Sequence, residues 1–182
     1  MRTAVIIGGG LGGLFTGAIL SKEGFKVTVL EKNTTVGGGL QNFKRFGLKF
    51  DTGMHVIGGM RPGGNIYRIC QYLGIVDKVS LMNVDDECTD SLYFAEDKHT
   101  YHIQKGREGL VNSLAEHFPN EKENLKAYVD AVFGLVDEIS LFHLRPSSDM
   151  LTTHSDNFMI AADAFISKYI KDPKLRSVVA YM

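Results

Sequence analysis

The sequence predicts an α/β fold: one parallel strand–helix–strand unit at the N-terminus, followed by the beginning of an α+β region. Three observations predict it. Thr3–Ile7 and Lys26–Leu30 are short apolar runs with strand character, and between them Leu11, Leu14, Phe15, Ala18 and Ile19 recur at helical spacing. The turn Gly8-Gly9-Gly10-Leu11-Gly12-Gly13 joins the first run to that helix, as in a βαβ unit of about thirty residues. Further on, the pattern turns β between Leu81 and Gln104 and helical from Glu108.

The first unit carries its own chemistry. Gly8, Gly10 and Gly13 fall on the dinucleotide fingerprint of Rossmann-like units, with Leu11 and Gly12 inside it. The first glycine permits the tight turn, the second lets backbone approach a pyrophosphate, and the third lets helix pack closely on strand. The unpaired N–H groups and positive dipole end of the helix then face the phosphates. Gly24 suits the C′ position that ends the helix. Glu31 closes the second strand eighteen residues past Gly13, where a carboxylate accepts hydrogen bonds from two ribose hydroxyls and repels a 2′-phosphate, so NADP is disfavoured. A membrane or signal segment is the competing reading, because Ala4–Leu20 holds no charge. Six glycines in those seventeen residues, and Lys22-Glu23 where a small-residue cleavage site belongs, argue against it.

Composition narrows the classes. A chain of 182 residues buries one good core or begins a second domain, and 44% hydrophobic with 23% charged residues is ordinary for a globular protein. A net charge of −1 gives no asymmetry to recruit nucleic acid. Cys70 and Cys88 have no paired-cysteine spacing, so neither a zinc site nor a disulfide framework is expected and a cytoplasmic setting fits best.

A second glycine cluster, Gly37-Gly38-Gly39, follows the acid and lets backbone come close to a ligand again. Phe46, Leu48 and Phe50 alternate like one half-buried strand, with Asp51–Gly59 as a loop at its end. Glu31-Lys32, Gly37-Gly38, Phe43, Gly47, Phe50-Asp51, Gly53, His55 and Gly58 together resemble the N-terminal part of FAD-dependent flavoproteins of the phytoene desaturase class, nearest the branch of retinol saturase and carotenoid isomerase. The resemblance is dense over residues 3–59 and thins towards residue 145. It implies a glutathione-reductase-like FAD domain. It also implies cofactor contacts from Gly8, Gly10, Leu11, Gly12, Gly13, Glu31, Lys32, Gly38 and Gly39, with Met54 and His55 near the flavin. Many relatives carry an arginine directly after the second Gly-Gly pair; Gly39 stands there instead, so no charged phosphate contact is assigned. His55 reads equally as a flavin-side residue or as a loop histidine held by a carbonyl.

Residues 1–60 are thus expected to form the FAD-binding part and 61–182 the start of a substrate domain. Arg61–Gly64 reads as a linker, and Asn65 caps a short helix ending at Gly74. Ser91–Ala95 and Thr100–Ile103 form a hairpin at about 90–104. His99 and His102 fall on opposite strand faces, so no metal site is expected. Glu108–Phe118 is an amphipathic helix, then Asn120 and Glu123 form a capping box for a long helix to about His143. Its stripe of Leu125, Tyr128, Val129, Val132, Val136 and Ile139 reads as core or as the wall of a lipid-sized tunnel, with core favoured. Arg145–Asp156 is loop, Phe158–Ile170 a helix, and Asp172-Pro173 starts a last one. Its apolar tail, Ser177–Met182, has nothing evident behind it, and a lone strand pair needs further parallel strands. The chain is therefore expected to be the N-terminal part of a longer protein and inactive alone.

The function expected from the resemblance is a FAD-dependent oxidoreductase acting on C–C or C=C bonds of a small apolar substrate of polyene or isoprenoid type, with peripheral membrane contact for substrate access. No catalytic residue is assigned. Two alternatives are a non-redox binding protein resembling the guanine-nucleotide dissociation inhibitors, and an NAD-binding Rossmann enzyme. Intact Gly8, Gly10, Gly13 and Glu31 weigh against the first; Gly37-Gly38 and Asp51–His55 weigh against the second.

Overall fold

The computed structural model describes residues 1–140, 142–145 and 155–181. The chain forms two compact units, Met1–Ser80 and Leu81–Met182. In the first, β1 (Thr3–Ile7), α1 (Leu11–Lys22) and β2 (Lys26–Leu30) make the expected βαβ unit, with β1 and β2 parallel and Ile6 opposite Val29. Strand alternation turns Ala4 and Ile6 inward and leaves Val5 and Ile7 at 65% and 88% exposure. Gly24 ends α1 with φ 84°, and Phe25 N donates to Leu20 O at 3.0 Å.

The run Phe46, Leu48, Phe50 is not one strand. It folds as a hairpin of β3 (Asn42–Arg45) and β4 (Leu48–Asp51), both exposed throughout. Phe46 and Gly47 take φ of 53° and 77°, the two positive dihedrals that a two-residue primed turn requires. A period of two survives a two-residue turn, so alternation alone could not reveal the reversal. Phe43 and Phe50 become a cross-strand stacked pair, centroids 5.4 Å apart.

Helix α2 (Asn65–Leu73) belongs with this first unit, so residues 61–80, expected in the second part, pack with the first. The Tyr72 hydroxyl donates to the Glu23 carboxylate, and Lys22 Nζ donates to Tyr72 O at 2.6 Å, which ties the ends of α1 and α2 together. Gly64, not Asn65, occupies the N-cap; Gly74 closes the helix in the left-handed region.

In the second unit β5 (Asp90–Phe94) and β6 (His99–Ile103) form the expected antiparallel hairpin, against which α3 (Gly106–Ala115) packs. Helix α4 (Lys122–Glu138) is shorter than expected, ending before Ile139. The Asn120–Glu123 capping box does not form. Pro119–Glu121 is a 3-10 turn, and Glu121, 7% exposed, turns its carboxylate elsewhere. Oε1 accepts from Lys171 N (3.1 Å) and Asp172 N (2.7 Å), and Oε2 from the Asn124 amide (2.7 Å). A buried carboxylate is held here by three donors, satisfying two backbone groups of the next connection.

The expected helix Phe158–Ile170 splits into a 3-10 turn, Asp156–Met159, and α5 (Ala162–Tyr169); Ile160 and Ala161 are extended between them. Helix α6 (Pro173–Ala180) starts where expected, its Asp172 carboxylate accepting from Lys174 N and Leu175 N. Part of the apolar tail has a partner: Val178 and Val179 are buried with Leu114, Leu125, Ile170 and Leu175 in one core. The α4 stripe contributes Leu125 and Val129 to that core. Most of the expected 145–156 loop and Met182 lie outside the described residues.

Candidate functional site

The geometry begins at the turn after β1. Gly8 has φ 102°, and its N–H donates to Leu30 O at 2.7 Å, holding the end of β1 beside the end of β2. A Cβ on Gly13 would lie 2.0 Å from Gly8 O, so the third glycine of the fingerprint is fixed by contact with the first. A Cβ on Gly10, by contrast, would meet only Gly38 Cα, at 4.0 Å, and one on Gly12 nothing within 4 Å. The fold itself does not demand glycine at these two positions; an occupant of the space would.

The N-terminus of α1 has Gly10 as its cap, with no side chain closing the first amides and no acid in the first turn. Such an end leaves donors and a partial positive charge for an anion. Glu31 stands at its side. Oε2 accepts from Gly9 N at 2.6 Å and Oε1 from Asn33 N at 2.8 Å. These two amides, Asn33 first and Gly9 second, hold the Glu31 carboxyl below its ordinary range. Each oxygen retains acceptor capacity towards hydroxyl donors.

The second glycine cluster docks on the first, backbone to backbone. Gly37 N donates to Gly9 O at 2.7 Å, Gly10 and Gly37 form a parallel bridge, and a Cβ on Gly38 would stand 3.1 Å from Gly10 Cα. From there the contacts continue: Met54 N donates to Gly39 O at 3.0 Å and Thr52 N to Gln41 O at 2.9 Å. Gly8, Gly10, Gly13, Glu31, Gly38, Gly39 and Met54 are thereby linked by short contacts, directly or through Gly9 and Gly37, although they span about fifty residues of sequence; Leu11 and Gly12 follow Gly10 in the first turn of α1 without a contact of their own to this network. Lys32 and His55 are exposed next to it.

Gly9 and Asn33, which spacing did not single out as site residues, complete the network with Gly37 and Gly53, which entered the sequence reading through the second glycine cluster and the family resemblance. A Cβ on Gly53 would come 3.1 Å from Gly39 O. Their part is played by peptide groups, which every residue type has, and only the density of glycine hinted at it.

Elsewhere, His99 Nε2 meets His117 Nδ1 at 3.2 Å, a partner the sequence did not suggest, while His102 lies on the other strand face as expected. No group of three or more His, Cys, Asp or Glu residues able to hold a metal occurs among the described residues. Nor, among these, is any helix long and apolar enough to cross a membrane.

Comparison with known proteins agrees with this geometry. Residues 6–73 match the family model of the NAD(P)-binding Rossmann-like domain. The chain is 31% identical to all-trans-retinol 13,14-reductase of Rattus norvegicus, over 98% of this chain and 32% of that protein. It is 26% identical to prolycopene isomerase 2 of an Oncidium hybrid cultivar, over 97% of this chain and 32% of that one. A crystal structure of an oxidoreductase from Methanosarcina mazei has the same fold, with TM-score 0.53 and 22% identity over 96% of this chain and 36% of that one. The chain is a homologue of the retinol reductase and carotenoid isomerase class that its sequence resembles. Homology runs nearly to the C-terminus, beyond the residue 145 at which the motifs thin out. The chain spans about a third of the length of the curated relatives it matches.

Proposed function

We propose that this chain carries the dinucleotide-binding part of a FAD-dependent oxidoreductase acting on C–C or C=C bonds of a small apolar, polyene or isoprenoid substrate. The observation that carries the reading is the open space over Gly10 and Gly12 between an uncapped helix N-terminus and the Glu31 carboxylate. Names of the relatives support the substrate class. In this reading the α1 amides and the glycine turn hold the pyrophosphate and Glu31 holds a ribose, with Lys32 alongside. The 37–39 cluster keeps backbone near the cofactor, and Met54 and His55 line its flavin end. Bound FAD would supply hydride transfer, which side chains alone cannot. The chain's own residues bind, orient and exclude water. The setting proposed is cytoplasmic with peripheral membrane contact for substrate entry, and without nucleic acid.

The family model's NAD(P) description favours, as second reading, a nicotinamide dinucleotide in the same cradle. Visible spectroscopy of the purified protein separates the two. Flavin bands, or bands regained on adding FAD, support the proposal. A colourless protein that FAD cannot reconstitute overturns it, and saturable NAD binding by that protein would establish the second reading.

A further inference from the structure

Cys88, His102 and Ser91 meet on the face of the β5–β6 hairpin turned away from the core. Ser91 and His102 are cross-strand partners, Ser91 Oγ to Nδ1 of His102 at 3.0 Å. Cys88 enters from the segment before β5, its Sγ 3.3 Å from Ser91 Oγ and 3.5 Å from the same Nδ1. The segment is fixed by Thr89 N and Oγ1, both donating to Ile103 O, and by Lys105 N donating to Asp86 O. Nothing in the dinucleotide reading uses these three side chains, and none of them is buried.

We propose that this cluster is a thiol-oxidation site for a small neutral hydroperoxide. A thiol needs a base to take its proton as it attacks, and an imidazole nitrogen within hydrogen-bond reach of sulfur is such a base. Ser91 Oγ is close enough to donate to sulfur as negative charge develops there. The thiol can also donate to Asp90 O, 3.6 Å away, an arrangement that attack must break. The co-reactant class follows from the charges nearby. Asp85-Asp86-Glu87 precede Cys88, with Asp86 paired to Lys105 and Asp85 accepting from Glu87 N; this acidic run repels anionic oxidants but not an uncharged peroxide.

The step balances. Cys88 sulfur attacks one peroxide oxygen, an S–O bond forms and the O–O bond breaks, and sulfur gives two electrons to the peroxide. The thiol proton passes through His102 to the departing alkoxide, which leaves as an alcohol, or as water from hydrogen peroxide. Cys88 becomes a sulfenic acid.

The test uses the chain as it stands, treated with hydrogen peroxide in the presence of dimedone, with adducts mapped by peptide mass spectrometry. Cys70, 4% exposed, is the internal reference. Expected is an adduct at Cys88, absent from Cys70, forming about tenfold or more slowly in His102→Gln, the scale on which a positioned base acts. Ser91→Ala, a smaller change, should slow it less. Circular dichroism checks that each variant is folded; if His102→Gln is not, Ser91→Ala against wild type decides. A Cys88 that stays unlabelled, or that labels equally fast in the folded variants, overturns the proposal.

Discussion

Both oxygens of Glu31 accept backbone amides, so this side chain shapes the glycine turn whether or not a ribose is present. Replacing it with Gln keeps the length of the side chain but removes the charge and sets an NH2 group against one of the two backbone N–H donors. FAD affinity is expected to fall roughly tenfold to a hundredfold, the range for one hydrogen bond to a charged group. An unchanged titration would remove Glu31 from the ribose site. The carboxyl is held below its ordinary value of 4.5, so its contribution is present above that pH and is lost as pH falls through the lowered folded value. Amide exchange of Gly9, followed by NMR on acidification, should lose protection in that window. Gly10 and Gly13 separate binding from folding. Gly13→Ala places a methyl 2.0 Å from Gly8 O and should destabilise the first unit by about 1–3 kcal/mol or more, as overpacking does. Gly10→Ala meets only Gly38 Cα at 4.0 Å, and Gly10 has φ −74°. That variant should fold normally in a thermal melt yet lose FAD. The fingerprint gives these two glycines different parts, backbone approach to a ligand at Gly10 and close helix–strand packing at Gly13, and the contact distances separate them in the same sense.

Helix ends were legible at Gly24, Gly74 and Asp172, where one residue type suffices, and one residue off at Asn65, whose place at the cap Gly64 takes. They were misread where a tertiary partner decides. Asn120 and Glu123 have the spacing of a capping box, but Glu121 is drawn to the α5–α6 connection fifty residues away, which local pattern cannot register. Glu121→Ala leaves Lys171 N and Asp172 N without their acceptor and should cost about 1–3 kcal/mol in denaturant unfolding. Asp172→Ala removes the α6 cap and should cost about 1 kcal/mol. Equal stability of either variant with wild type would contradict the assigned bonds. The β3–β4 hairpin was missed for another reason: its turn is Phe46-Gly47, a pair outside the usual Asn-Gly and Asp-Gly signals.

The two units differ in how much interior they own. Cys70 is the sole hydrophobic residue of the first unit below the burial level reached by thirteen in the second, among the described residues. Val5, Ile7, Leu30, Phe43 and Phe50 are exposed in the first. Hydrogen exchange should therefore show α3, α4 and α6 protected well beyond β1, α1 and β2. FAD should narrow that gap, since a ligand at a hundred times its Kd adds about 2.7 kcal/mol to the state that binds it. Protection that rises equally in both units, or in neither, would count against a site confined to the glycine network. The parallel unit and the hairpin were readable because their signals are local; which residues would end up inside was not, because burial depends on all neighbours at once.

The network that joins Gly9, Gly10, Gly37, Gly39 and Met54 is written in peptide groups. Truncating side chains there deletes no rung, so an alanine scan, designed to subtract, can at these glycines only add. Tolerance to change along this segment is therefore set by volume, and at Gly37 also by its φ of 122°, instead of by chemical kind. The rung from Met54 N to Gly39 O would yield to a swap of one atom in the main chain, ester oxygen for amide nitrogen, and to no trimming of the methionine.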